Sequence, residues 1–184
     1  MKSKENINLL CALQAFEIES CRLLGGWLPG IRKWEDKYHI CEHLWQDSEH
    51  SKTLRTRLWE LKVRKPENKT GDTPRKLMER FALTQSDYSF LAAFYQVFKK
   101  AMVDAYESLL ESAYPVYDAP TVSVVRRILA DKKAQLEWAD ASLEGLLDSG
   151  EKQAEAERWR SFFRECMDFF GGIHFLASDE SDAG

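Results

Sequence analysis

His43-Leu44-Trp45-Gln46-Asp47-Ser48-Glu49-His50 sets the reading of this chain, followed by an apolar and basic run that ends near Leu61. Asp47 and His50 are three residues apart and His43 lies one further turn back, so on a helix all three project from one broad face. Leu44, Ser51, Leu54 and Leu58 share that face, which directs the polar groups toward a core. Buried ionisable groups are costly unless paired with each other or bound to a metal. Carboxylate and histidine at i and i+3 is also the unit from which helical bundles build carboxylate-bridged metal sites.

The rest of the chain supports helices throughout. Its 184 residues suit one domain with a substantial core. Residues 1–177 are expected to form that domain, and the acidic, small-residue stretch 178–184 is expected to be a disordered tail. Punctuation is sparse. Gly25-Gly26 and Pro29-Gly30 are expected to end a first helix of about residues 7–25, and a second follows over about 34–61. Pro66 to Pro74 reads as a loop, with a short helix after it at about 75–82. Further helices are predicted over about 87–112, 120–147 and 151–170, with Pro120 in a first turn. No alternating strand pattern is present. The architecture predicted is an all-α, up-and-down four-helix bundle with an additional C-terminal helix.

Composition narrows the function. Hydrophobic residues make up 44% and charged residues 30%, with a net charge of −4, which provides no global attraction to nucleic acid. No apolar run is long enough to span a bilayer, and the opening residues are too polar for a secretory signal. Cys11, Cys21, Cys41 and Cys166 form no CxxC pair, so buried free thiols in a reducing cytoplasm are expected. The basic stretch Lys62 to Arg80, near Trp59, reads as a solvated loop rather than a nucleic-acid patch. Trp159, Phe162, Phe163, Met167 and Phe170 crowd the last helix, and packing on the bundle is the expected use.

Helical periodicity then assigns the interior. On the first helix Glu17 lies inside the stripe Leu9, Leu10, Leu13, Phe16, Leu24 and Leu28. On the second, Asp47 lies mid-stripe among Ile40, Leu44, Leu54 and Leu58, with His43 and His50 on its border. The third helix has the stripe Leu91, Phe94, Phe98, Ala101, Ala105 and Leu109, with no ligand in it. On the fourth, Lys132 and Gln135 interrupt Val125, Ile128, Leu129, Leu136, Ala139 and Leu143.

The run 43–50, continuing Thr53-Leu-Arg-Thr-Arg-Leu-Trp-Glu-Leu61, resembles the second helix of bacterial ferritin-like proteins. Gly26-Trp-Leu-Pro29 and Ala119-Pro-Thr-Val-Ser-Val-Val-Arg-Arg127 are similar to the same group, and the similarity covers about residues 7–147. The wider superfamily includes di-iron hydroxylases and oxidases, among them a tRNA hydroxylase. Such enzymes hold two irons with a Glu and a Glu-x-x-His unit from each half of the bundle. The resemblance gives Glu17 the part of the first-half carboxylate, and Asp47 with His50 the part of the first-half pair. Lys132 and Gln135 stand where the second pair is expected, so a full di-iron centre lacks half its ligands.

Three arrangements remain open for Lys132. Its ammonium can take the place of a metal and neutralise Glu17 and Asp47, with His50 and Gln135 completing the network. It can extend outward along its alkyl stem. Or a single iron or zinc ion is held by Glu17, Asp47 and His50, with His43 nearby. The favoured function is a metal-free ferritin-like binding or accessory protein, with a partner protein, a second copy or a small molecule in the bundle interior. The alternative is a non-haem iron oxidoreductase of hydroxylase or oxidase type using Glu17, Asp47 and His50.

Overall fold

A computed structural model describes residues 4–114 and 116–176. Among these residues every regular element is helical. Helix α1 (Lys4–Trp27) passes through Gly25-Gly26 without a break and ends in a 3₁₀ turn (Leu28–Gly30). Pro29 in that turn, rather than the glycine pair, is where helical hydrogen bonding stops. Helix α2 (Trp34–Glu60) returns alongside α1, giving the most extensive helix pairing in the fold.

The segment predicted as a loop contains a single-turn helix, α3 (Glu67–Thr70). It closes at Gly71, whose φ of +52° suits a residue without a Cβ. Helix α4 (Thr73–Phe81) follows, with Pro74 in its first turn. Ser86 caps α5 (Asp87–Ala93), its side chain accepting from the Ser89 N–H at 3.3 Å. Arg32 clasps Asp87 through Nη2 at 2.8 Å and Nε at 3.0 Å, tying the α1–α2 turn to the start of α5.

From α5 the chain continues through a π-helical stretch (Phe94–Lys99) directly into α6 (Lys100–Ser112). Helix α7 (Ala119–Leu146) starts with Pro120 in its first turn, as predicted. Ser149 caps α8 (Gly150–Phe169), and Gly171 and Gly172, at φ +76° and +61°, end it with the Gly172 N–H returning to Met167 O at 2.7 Å. The acidic stretch expected to be a tail lies outside the described residues.

Four long units surround the core. Helices α1 and α2 pack on each other, α6 and the π stretch pack on α7, and α1–α6 and α2–α7 contacts close the ring. Helix α8 lies against α5 and the π stretch, and α4 joins it from the α1 side. Aromatic rings fill that outer seam: Phe81 stacks on Phe163 at 4.0 Å and also meets Phe94 and Phe98 edge-on. Most of the apolar group on α8 packs on the bundle as expected, with Trp159 and Phe170 half-buried against the core. Phe163 and Met167 are buried, whereas Phe162 is exposed, as is Phe169 beyond it.

The thiols are free, and only Cys11 is buried; Cys41 faces solvent, which corrects the expectation of a buried thiol there. Among the described residues no helix is long and apolar enough to cross a membrane.

Phe81 is fully buried at the junction of α4, α8 and the π stretch. Phe81→Ala should lower unfolding free energy by about 3–5 kcal/mol, read from the urea midpoint at unchanged m-value.

Candidate functional site

At the centre of the ring, four oppositely charged side chains are each fully buried: Glu17, Asp47, Lys99 and Lys132. Asp47 is the hub. Its Oδ1 accepts from Lys132 Nζ at 2.6 Å and from Gln135 Nε2 at 3.2 Å, and its Oδ2 accepts from Lys99 Nζ. Glu17 accepts from Lys132 Nζ at 2.6 Å on Oε2 and from the Tyr106 hydroxyl at 2.7 Å on Oε1. Gln135 links the second lysine, its Oε1 accepting from Lys99 Nζ at 3.0 Å, and its Nε2 also donates to Gln46 Oε1 at 2.8 Å. Two carboxylates thus face two ammonium groups, and the charges balance.

Protonation follows from this arrangement. Burial alone would raise the pKa of Glu17 and of Asp47, but Lys132 beside both, and Lys99 beside Asp47, hold them below their ordinary values. Burial works against the Lys132 ammonium, yet the pull of Asp47 and Glu17 keeps its pKa above the ordinary one. Lys99 is the weaker cation: burial drives it down to about 8, with Lys132 adding to the push and Asp47 opposing it. The Tyr95 and Tyr106 phenols are raised by burial, so both remain neutral.

The two histidines part ways. His43 shares a hydrogen bond through Nδ1 with the Tyr95 hydroxyl at 2.8 Å and packs edge-on against Trp138. Burial, with Lys99 adding to it, pushes His43 down to about 3, which keeps it neutral. It therefore joins an aromatic cluster rather than the carboxylates. His50 stays with them: its Nε2 meets Asp131 Oδ2 at 2.9 Å, and its Nδ1, which has no hydrogen-bond partner, lies 3.9 Å from Glu17 Oε2.

Glu17, Asp47 and His50 offer ligand atoms within 4.8 Å of one another, the spacing a metal ion needs. The donor set as a whole does not fit one. Lys132 Nζ occupies the space between the two carboxylates and Lys99 takes the remaining Asp47 oxygen, so an ion would have to displace ammonium groups already bonded there.

Periodicity had brought together Glu17, Asp47, His50, Lys132 and Gln135, and the structure does the same. The outward extension weighed for Lys132 does not occur. Lys99 and Tyr106 were missed because a single inward stripe was assigned to the third helix. That helix buries a wider arc: Phe94, Phe98, Ala105 and Leu109 face inward as predicted, and Lys99 and Tyr106 lie on the adjoining stripe. Met102 and Tyr106 are fully buried, whereas Ala101, predicted to face inward, is partly exposed. The available signal was the spacing Tyr95, Lys99, Met102, Tyr106, itself a helical stripe. In the basic stretch, Lys69 bonds Asn8 and Arg75 pairs with Asp72 and Glu79, while Glu67 pairs with Arg55 of α2, as a solvated surface does. No protein-family model, curated protein or solved structure matches this chain.

Lys132→Ala should leave two buried carboxylates underneutralised and cost about 3–5 kcal/mol in urea unfolding; an unchanged midpoint contradicts the pairing. Acid gives a second measurement. Both carboxylates have folded pKa values below the unfolded 4.5 and 3.8. Their stabilisation is therefore complete above pH 4.5 and lost as pH falls toward the folded values. A Glu17→Gln/Asp47→Asn variant should show a flatter decline of stability across that acid range.

Proposed function

We propose that this chain is a ferritin-like bundle in which two lysine ammonium groups have taken over the part of a dinuclear metal centre. It acts as a metal-free binding or accessory protein. The observation that carries this reading is Lys132 Nζ, shared between Glu17 and Asp47 at 2.6 Å each. The distribution of polar residues supports the ferritin-like part. Glu17 comes from α1, Asp47-x-x-His50 from α2, Lys99 from the third helical unit and Lys132-x-x-Gln135 from α7. That is the single–pair–single–pair order of carboxylate-bridged bundles, with lysines at both second-half carboxylate positions. A π-helical stretch at the third position is a known mark of functional sites in helices.

The chemistry of the substitution argues for a structural centre. An ammonium group neutralises carboxylates as a metal ion does, but it has no vacant coordination position for a substrate or for oxygen. The four charged side chains are fully enclosed, which assigns recognition to the protein surface rather than to the bundle interior. Four free cysteines suit a reducing compartment such as the cytoplasm.

A second reading, an iron-dependent oxidoreductase using Glu17, Asp47 and His50, is favoured by one feature, the unpartnered His50 Nδ1 beside Glu17. Metal analysis separates the two. Protein purified without chelators should contain no stoichiometric iron, manganese or zinc, and about two irons per chain would falsify the proposal. Conversely, Lys99→Glu/Lys132→Glu/Gln135→His should acquire cobalt(II) binding with visible ligand-field bands, while the parent chain shows none.

A further inference from the structure

The outer face of α2 carries a line of aromatic residues that the bundle does not use. Trp34, Tyr38 and Trp45 are 63%, 63% and 64% exposed, and Trp59, two heptads beyond Trp45, is 66% exposed. Cys41, also exposed, completes the line between Tyr38 and Trp45. The spacing 34–38–41–45 places these residues along one stripe, and it is opposite the stripe that holds Ile40, Asp47 and Leu58. Single exposed aromatics are ordinary on a protein surface. Trp34, Tyr38, Cys41 and Trp45 form a continuous patch of the kind that marks an association site, and exposed Lys52 separates Trp59 from it.

The charges bordering the stripe identify what covers it. Glu35, Glu42 and Glu49 run along one edge, and Lys37 stands on the other, its Nζ 6.0 Å above the Trp34 ring. Two such helices packed antiparallel would bring the three-glutamate edge against itself. Packed parallel about a two-fold axis, each helix sets its Lys37 against the partner's Glu42, the cross-pairing of flanking positions in parallel coiled coils. Over residues 34–45 the stripe therefore carries both halves of a complementary pair, Lys37 and Glu42, and the partner that fits it is a second copy of the chain.

We infer that the protein forms a two-fold homodimer through parallel α2 helices, with Tyr38, Cys41 and Trp45 facing their counterparts. Trp34 extends the apolar seam at its N-terminal end, and the helices diverge beyond Trp45, before Lys52 and Arg55 would meet their own copies. This interface is on the opposite side of α2 from the buried lysines, so it stands or falls independently of the metal-free reading.

Sedimentation velocity on the full chain tests it. The wild type should sediment as a dimer that dissociates on dilution through the micromolar range. Tyr38→Glu/Trp45→Glu should be monomeric at the same concentrations, with the circular dichroism spectrum of the wild type and the Tm of the dissociated wild type, because both side chains are exposed. Lys37→Glu alone should weaken dimerisation by about tenfold, and Lys37→Glu/Glu42→Lys should restore it. A wild type that is monomeric at every concentration overturns the proposal, as does a Tyr38→Glu/Trp45→Glu variant that remains dimeric. Failure of the charge exchange to restore association rules out the parallel packing.

Discussion

Asp47, a carboxylate without solvent contact held between two ammonium groups, is the constraint on which the arrangement of the other helices depends. Desolvating one carboxylate costs several kcal/mol, and that cost is tolerable only when cations and hydrogen-bond donors are already in position. Lys99 comes from the π stretch, Lys132 and Gln135 from α7, and Glu17 enters from α1 to share Lys132. A shift of any of these helices by one residue along its axis would replace a bonded charge with an apolar or unpaired group. The network thus acts chiefly on register. Apolar side chains of similar volume could provide comparable stability, but they would accept neighbouring registers more readily.

The same geometry explains how lysine can neutralise paired carboxylates as a metal ion does in carboxylate-bridged helical bundles. A cation between two carboxylates cancels their repulsion whichever atom carries the charge. A long alkyl stem brings the ammonium group to the bundle centre, where the whole Lys132 side chain is buried. What changes is reactivity. The charge becomes part of the chain, its hydrogen bonds are committed to Glu17 and Asp47, and it cannot exchange ligands. His50, with Nε2 on the part-exposed Asp131, is the member of the group nearest to solvent.

Much of this could be read from residue order. Glu17, Asp47, Lys132 and Gln135 interrupt otherwise apolar stripes, and a polar residue at an inward position of a regular helix has few places to go. The helix boundaries followed Pro120, Ser149 and the glycines at 171 and 172, each of which acts on its own backbone. Where the reading failed, the cause lay in neighbours. Gly25-Gly26 remained helical, and regular helix gives way only at the turn that holds Pro29. Cys41 faced solvent because α2 buries a narrower arc than its apolar content suggests. His43 turned to Tyr95 and Trp138, residues on two other helices that no local pattern connects to it.

The amino-acid sequence by itself determined the helical class, the order of the long helices and which faces of α1, α2 and α7 point inward. Each of these depends on interactions within a few residues along the chain. Only the tertiary structure decided that the centre is a closed quartet. Lys99 enters it from the end of the π stretch at Phe94–Lys99, which packs against α7, α8 and α6. Pairing its ammonium with Asp47, 52 positions away, is a property of helix juxtaposition that periodicity within one helix does not encode.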